Sequence, residues 1–378
     1  VRQIYLDYNA TTPIAPSVLD AMNPFLQGHY GNPSSAHSLG RAAKEGIEDA
    51  RSKLAGLLAC ESSEVIFTSG GTESNNLAIK GVMFKGAPGS GHMVISSIEH
   101  PAVSEPAYFL QRMGYDVSIV GCDEHGVVRP SDVEKELRAD TRLVSIMHAN
   151  NEIGTIQPIR QIAEICHSHG VIVHTDAAQS VGKIPACIDQ LDVDLLTVAG
   201  HKLYGPKGVG ALFVREGLEL EPALHGAKQE NGVRAGTENA AYIVALGHAA
   251  ALAAASLDEA SDTMTTMRDK LADKLIEAIP NLVVNGQKAE RLPNTLSVTF
   301  PGVSGQEMLK RSPELCASTG SACHSSGVVS SATLDSMGCS AEHVAGTVRL
   351  SVGWHTSEDD VNRGASLLID AWENLSGA

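Results

Sequence analysis

Between residues 64 and 215 the chain alternates short apolar runs with segments of helical pattern. The runs are EVIFTS (64–69), HMVISS (92–97), DVSIVG (116–121), RLVSIMHA (142–149), VIVHTD (171–176), DLLTVAG (194–200) and GALFVR (210–215). Most are nearly continuous apolar stretches, as in strands covered on both faces. Between them lie TESNNLAIKGVMF and PIRQIAEICHSHG. The latter has Pro158 at its start and Gly170 at its end, the usual punctuation of a helix. This alternation predicts an α/β fold, a mostly parallel sheet with helices on both sides. After about residue 240 the pattern changes. An alanine-rich helical region (239–257) leads to another helix, TMRDKLADKLIEAI, then to the strands NTLSVTF and TVRLSVG and a closing helix, SEDDVNRGASLLIDAWENL. This predicts a smaller α+β domain. GVVSSA (327–332) reads as a short Gly/Ser-rich loop.

The chain has 378 residues, 43% of them hydrophobic, enough for more than one domain. Its formal charge of -16 disfavours nucleic acid as a partner, because phosphate backbones are repelled. No run of about 18 apolar residues suggests a membrane span. The start, VRQIYLDYNATTP, has no secretory pattern. The seven cysteines are an odd number and form no C-x-x-C. They read as reduced thiols of a cytoplasmic protein, with room for one reactive thiol.

In parallel sheets, ligands bind beyond the carboxyl ends of the strands. GGTESNN follows the first run, and glycines running into a helix start at Thr72 make an anion cradle or a plain connection. His100 follows the second run, just before a helix. Asn151 follows RLVSIMHA, Asp176 and Gln179 follow VIVHT, and His201 and Lys202 follow DLLTVAG. Each alone has a structural reading. Together they supply phosphate donors, an imidazole, an amide, a carboxylate and an amine. Pyridoxal phosphate needs such a set: a lysine to carry it, an acid to keep its ring nitrogen protonated, and a helix start for its phosphate. CHSHG (166–170) reads as a polar helix end, and no histidine cluster suggests a metal site.

YLDYNATTP, GNPSS, FTSGGTESNNLAIKG, EHPAV, HANNEIG, HTDAAQSVGK, GHKLYGPKGVGAL, RAGTEN and GSAC resemble, in order and over nearly the whole chain, the cysteine desulfurases related to class V aminotransferases. The resemblance implies the pyridoxal-phosphate fold type I. It implies a large cofactor-binding domain over 15–255 and a small domain from 1–14 and 256–378 that carries the catalytic cysteine. Lys202 would carry the cofactor and move the substrate α-proton. Asp176 would pair with the ring nitrogen, Gln179 with the ring hydroxyl, and His100 would stack on the ring. Asn151 would contact cofactor or substrate. Gly71, Thr72 and His201 would hold the phosphate, with Thr237 reaching in from a second subunit of a homodimer. Arg349 would clamp the carboxylate of L-cysteine.

Cys323 lies among Gly, Ser and Ala, a polar and accessible setting, and it matches the family's GSAC. It would attack the sulfur of bound cysteine, giving a persulfide and alanine. His324 would tune the thiol or stay solvated, and Cys316 reads as core. The persulfide would pass to a protein acceptor, such as an iron–sulfur scaffold; tRNA thiolation, cofactor synthesis and DNA sulfur modification are further destinations. Some positions depart from the family: Ala199 in place of a serine, Ala227 and Lys228 in place of glycines, and Trp354 in place of an arginine. ACHS also resembles the selenocysteine lyases, which makes selenium release the alternative. An idle scaffold of the same fold is a third reading, though it would have no need to keep Lys202, Asp176, Cys323 and Arg349 together.

Overall fold

A computed structural model describes residues 2–319, 322–323 and 329–377. The strands, in chain order, are β1 (Ile4–Tyr5), β2 (Val65–Thr68), β3 (His92–Ser96), β4 (Asp116–Val120), β5 (Thr141–Ser145), β6 (Ile172–Asp176), β7 (Leu195–Ala199), β8 (Gly210–Val214), β9 (Val283–Val284), β10 (Thr295–Thr299), β11 (Leu315–Cys316), β12 (Ala322–Cys323), β13 (Val329–Ser330) and β14 (Thr347–Ser351). Seven of them form the central sheet in the order β2-β8-β7-β6-β5-β3-β4, matching the seven apolar runs of the sequence. Every residue of β3, β7 and β8 is buried. The edge strand β4 alternates instead, leaving Ile119 exposed.

The sheet is mostly parallel, with β8 antiparallel to both of its neighbours. The cause is local. The β7–β8 connection contains only a single turn of helix, Gly200–Lys202, so the chain returns beside β7 without a crossover. Because β2 opposes β8, the ends of β2, β3, β5, β6 and β7 all emerge at one edge. Glycine closes this edge: a Cβ on Gly210 would stand 2.7 Å from the Cα of Gly70.

A second sheet, β14-β10-β9, is antiparallel. Its apolar face joins Leu271, Leu275, Leu368 and the N-terminal Ile4 and Leu6 in a second buried cluster. The sequence reading of two helices around residue 257 is corrected: a single helix runs Ala240–Ala278. The polar stretch SLDEASDTMTT contains neither Gly nor Pro, so nothing breaks the turn-to-turn hydrogen bonds. By length and composition this helix could cross a membrane, contrary to the expectation of no such run. Its Ile243, Leu246, Leu271 and Leu275 are nonetheless buried inside the protein. The GVVSSA loop is also corrected in part: β13 pairs antiparallel with β12, and a helix starts at Ala332.

Candidate active site

At the common strand edge lies a cavity of about 380 Å³. It is lined by Gly71, Thr72, His100, Asn151, Asp176, Gln179, His201, Lys202 and Arg349, which the sequence pointed to, and by Asn9, Ala10 and Asn75, which it did not. The elements explain the convergence. Gly70 (φ 145°) precedes the helix Gly71–Met83 in a backbone conformation that side chains rarely adopt, and no side chain caps that helix. Its first amides therefore stay available for an anion. Ala199 stands beside this start, 3.4 Å from where a Cβ on Gly71 would lie, and supplies no hydroxyl there.

Asp176 ends β6. Its Oδ2 accepts from Asn75 Nδ2 at 2.7 Å and its Oδ1 from the Ala178 amide at 2.9 Å, so two donors hold the carboxylate at the cavity wall. His100 caps the helix Pro101–Arg112, its Nδ1 accepting from the Ala102 amide at 3.0 Å. In the neutral ring that bond places the proton on Nε2. Desolvation holds this imidazole below its usual range; Asp176 opposes the shift and Lys202 adds to it.

Lys202 sits in the turn after β7. Its Nζ donates to the carbonyls of Asn9 and Ala10, the latter at 2.8 Å. Burial, then the nearby Arg349, lowers its pKa to about 8, with Asp176 and Asp7 opposing. His201 is lowered to about 4, first by burial and then by Lys202, so it is neutral at pH 7. Gln179 donates through Nε2 to the Asn9 carbonyl at 3.0 Å and accepts at Oε1 from Lys183 Nζ at 2.9 Å. Lys183 is itself buried, and burial holds its amine well below the usual range. Arg349, in β14, donates to Asp7 Oδ1 at 2.9 Å and to the Asn151 carbonyl at 3.0 Å; its buried Nε has no partner among the described residues.

Thr237 is not brought to this cavity within the chain. It lines a neighbouring one of about 150 Å³, with Ser69, Gly208 and Glu230. Ala227 and Lys228 border another cavity beside Arg51. Trp354 stacks on Tyr204, ring centroids 3.9 Å apart, and its amide donates to the Tyr204 hydroxyl at 2.6 Å. Cys316 is partly buried in β11. The His167 ring of CHSHG bonds Asp194 at 2.9 Å, as a polar helix end would. The backbone of Cys323 lies in β12; its side chain and His324 lie outside the described residues.

The residues that sequence reasoning missed are held by contacts across the chain. Asn9 receives Asn294 Nδ2 at Oδ1, at 2.9 Å, and donates to Thr295 Oγ1 at 2.8 Å. Its place in YLDYNATTP was visible, but no strand end pointed to it. Asn75 had a fainter signal, an amide on the helix face it shares with Ala78, Ile79 and Val82.

Comparisons with known proteins agree with this arrangement. The family described as aminotransferase class V matches residues 4–363. A cysteine desulfurase IscS of Dictyoglomus turgidum is 45% identical over 376 residues, covering 99% of this chain and 95% of that protein. Among solved structures, a NifS-like protein superposes with a TM-score of 0.91 at 36% identity, over 100% of both chains. SspA in complex with cysteine superposes with a TM-score of 0.83 at 38% identity, covering 92% of this chain and 98% of that one. The architecture is the fold type I that the motifs implied, and the relatives' names favour sulfur over selenium. The chain belongs to the class V aminotransferase family, on its cysteine desulfurase branch.

Proposed function

We propose that this protein removes sulfur from L-cysteine, leaving L-alanine, with pyridoxal phosphate carried on Lys202. The observation that carries the proposal is the gathering of the Lys202 amine, the Asp176 carboxylate and the Arg349 guanidinium around one cavity. The residues fit the cofactor. The uncapped amides of Gly71 and Thr72, the Thr72 hydroxyl and His201 suit its phosphate. Asp176, fixed by Asn75 and Ala178, suits the ring nitrogen, and Gln179 the ring hydroxyl. His100 and Asn151 suit the ring and the substrate. Thr237 would complete the phosphate site from a second copy in a homodimer.

When bound, pyridoxal phosphate supplies an aldehyde for amines and an electron sink for the substrate α-carbon. The chain does the rest. Arg349, which lines the cavity, receives the substrate carboxylate through its guanidinium. Lys202, with its pKa near 8, takes up and returns the α-proton near neutral pH. His100, neutral and protonated on Nε2, donates toward the cavity. Cys323 takes the sulfur: a bond from its Sγ to the substrate sulfur forms as the substrate carbon–sulfur bond breaks. The electron pair stays on carbon and takes a proton, giving alanine and a persulfide. No outside oxidant or reductant is required.

The persulfide then passes to a protein acceptor in the cytoplasm, such as an iron–sulfur scaffold. We read 15–255 as the cofactor-holding part and 1–14 with 256–378 as the part bearing Cys323; the gathering of Ile4, Leu6 and the apolar side chains from Met264 onward in a buried cluster of their own supports this. The test is alanine and sulfide production from L-cysteine by the holoenzyme. Lys202→Ala abolishes both, and Cys323→Ala abolishes sulfide release. Sulfide release undiminished in Cys323→Ala would refute the persulfide route. A higher turnover on L-selenocysteine with no persulfide would restore the selenium alternative.

A further inference from the structure

We propose that Glu152 is a positioning residue: it ties the segment bearing Cys323 to the turn that holds Arg349. The inference rests on the reading of Cys323 as the sulfur carrier.

The turn is built by Asn150, which is fully buried. Its Oδ1 accepts from the amides of Glu152 at 2.8 Å and Ile153 at 3.0 Å, which fixes the backbone on both sides of the Glu152 side chain. The next residue toward the cavity, Asn151, offers its carbonyl to Arg349 Nη1 at 3.0 Å. The Glu152 carboxylate points the other way. Its Oε2 accepts from the Ser331 hydroxyl at 2.6 Å and its Oε1 from the Thr333 hydroxyl at 3.2 Å. Each hydroxyl donates once and accepts once. Ser331 also accepts from the Leu334 amide at 3.1 Å, and Thr333 from Asn150 Nδ2 at 3.1 Å.

Ser331 directly follows β13, and β13 is the ladder partner of β12: Val329 stands opposite Cys323 and Ser330 opposite Ala322. A continuous path therefore runs from the Cys323 backbone across the ladder to Ser331, to Glu152, and through Asn151 to Arg349. The other flank of the segment is tied to the same arginine, since the Arg349 amide donates to the Ser318 carbonyl at 2.6 Å.

A carboxylate held by two hydroxyls is poorly compensated for its burial, which raises its pKa; Ser331, Thr333 and Arg349 oppose this only in part. Two apolar side chains would link the same elements at less cost. What the carboxylate adds is direction, because a buried network with every donor matched admits one arrangement. Sulfur transfer needs that: the Cys323 thiol must reach the sulfur of a substrate whose carboxylate is fixed at Arg349, and small misplacements cost large factors in rate.

The experiment uses the holoenzyme and the variants Glu152→Ala, Glu152→Gln and Ser331→Ala. Substrate binding is read from the change in cofactor absorption on titration with L-cysteine. Sulfur transfer is read from a single turnover, trapping the Cys323 persulfide with an alkylating agent and weighing the intact protein. Glu152→Ala should slow persulfide formation roughly 10- to 100-fold while moving the half-saturating cysteine concentration less than about threefold. Glu152→Gln should recover the rate to within about fivefold of wild type, because its amide oxygen still accepts from one hydroxyl and its NH2 donates to the open lone pair of the other. Ser331→Ala, a milder change for use should Glu152→Ala fail to fold, should fall between them. Persulfide forming at the wild-type rate in Glu152→Ala, or in Ser331→Ala in its place, overturns the proposal. So does an equal loss of the absorption change and of persulfide, which would mark Glu152 as mere support. Cys323→Ala, run alongside, reports on the underlying reading: a persulfide that survives there removes the sulfur carrier itself.

Discussion

Asp7 Oδ1 lies 2.9 Å from Nη2 of Arg349, joining residues 342 positions apart at the wall of the cavity. With the Asn151 carbonyl on Nη1, the pair fixes the plane of the guanidinium where Arg349 lines the cavity. The arginine is oriented before any substrate arrives.

Arg349→Ala should therefore raise KM for cysteine strongly, by roughly 10- to 100-fold, the scale of a lost charge-assisted hydrogen bond. Asp7→Asn, which keeps the shape and removes the charge, should cost less, about three- to tenfold. Steady-state alanine production against cysteine concentration measures both.

Lys202 must be neutral to capture an aldehyde. Its pKa is lowered to about 8, so the amine is mostly protonated below that pH and mostly neutral above it. Uptake of pyridoxal phosphate by the apoprotein should accelerate as pH rises, with a midpoint near 8 rather than near the ordinary lysine value of 10.5. The growth of absorption near about 400 nm follows it. A rate still climbing steeply at pH 10 would contradict the lowered value.

Arg51 and Glu230 form a buried two-point pair, at 2.8 Å and 2.9 Å, and Glu230 also accepts from the Phe67 amide at 2.8 Å. Glu230→Ala would strand the Phe67 amide and leave Arg51 with only the Val65 carbonyl and the half-exposed Glu48. It should destabilise the fold by about 3–5 kcal/mol. Chemical denaturation reads this directly, and Arg51→Met should cost a comparable amount, because it leaves the buried Glu230 carboxylate with only the Phe67 amide and the Val65 carbonyl without its arginine.

His148 and His174 are buried, and burial lowers each to about 4. Above pH 6.5 they are neutral in both folded and unfolded chains, so they favour neither. As pH falls from 6.5 toward 4, the unfolded chain binds protons that the folded one refuses, and stability is lost. The loss should approach roughly 3 kcal/mol for each by pH 4. Denaturation midpoints measured between pH 7 and 4.5 should fall steeply, and less so in His174→Gln.

The seven strands of the central sheet were legible because each is a short apolar run between helical segments, and all but the edge strand β4 are covered on both faces. Lys202, Asp176, Gln179, His100 and Asn151 were legible because each follows such a run, where a parallel sheet presents its ligands. Asn9, Asp7 and Glu230 were not. Each acts on partners more than 150 positions away, and no local pattern marks such a contact. The unbroken helix Ala240–Ala278 was misread because a polar stretch looks like a connection, although that stretch carries neither Gly nor Pro. Trp354 was legible as a departure, but its stacking on Tyr204 was not, since it depends on how β14 comes to lie beside the turn after β7.

The helix Ala240–Ala278 gives Leu246 and Ala249 to one oily interior and Leu271 and Leu275 to the other. It acts as a common spine. Because the helix is continuous, losing its seat in one half loosens it in the other, so warming should melt both in one step. A protease cut near residue 257 should release no sturdy fragment.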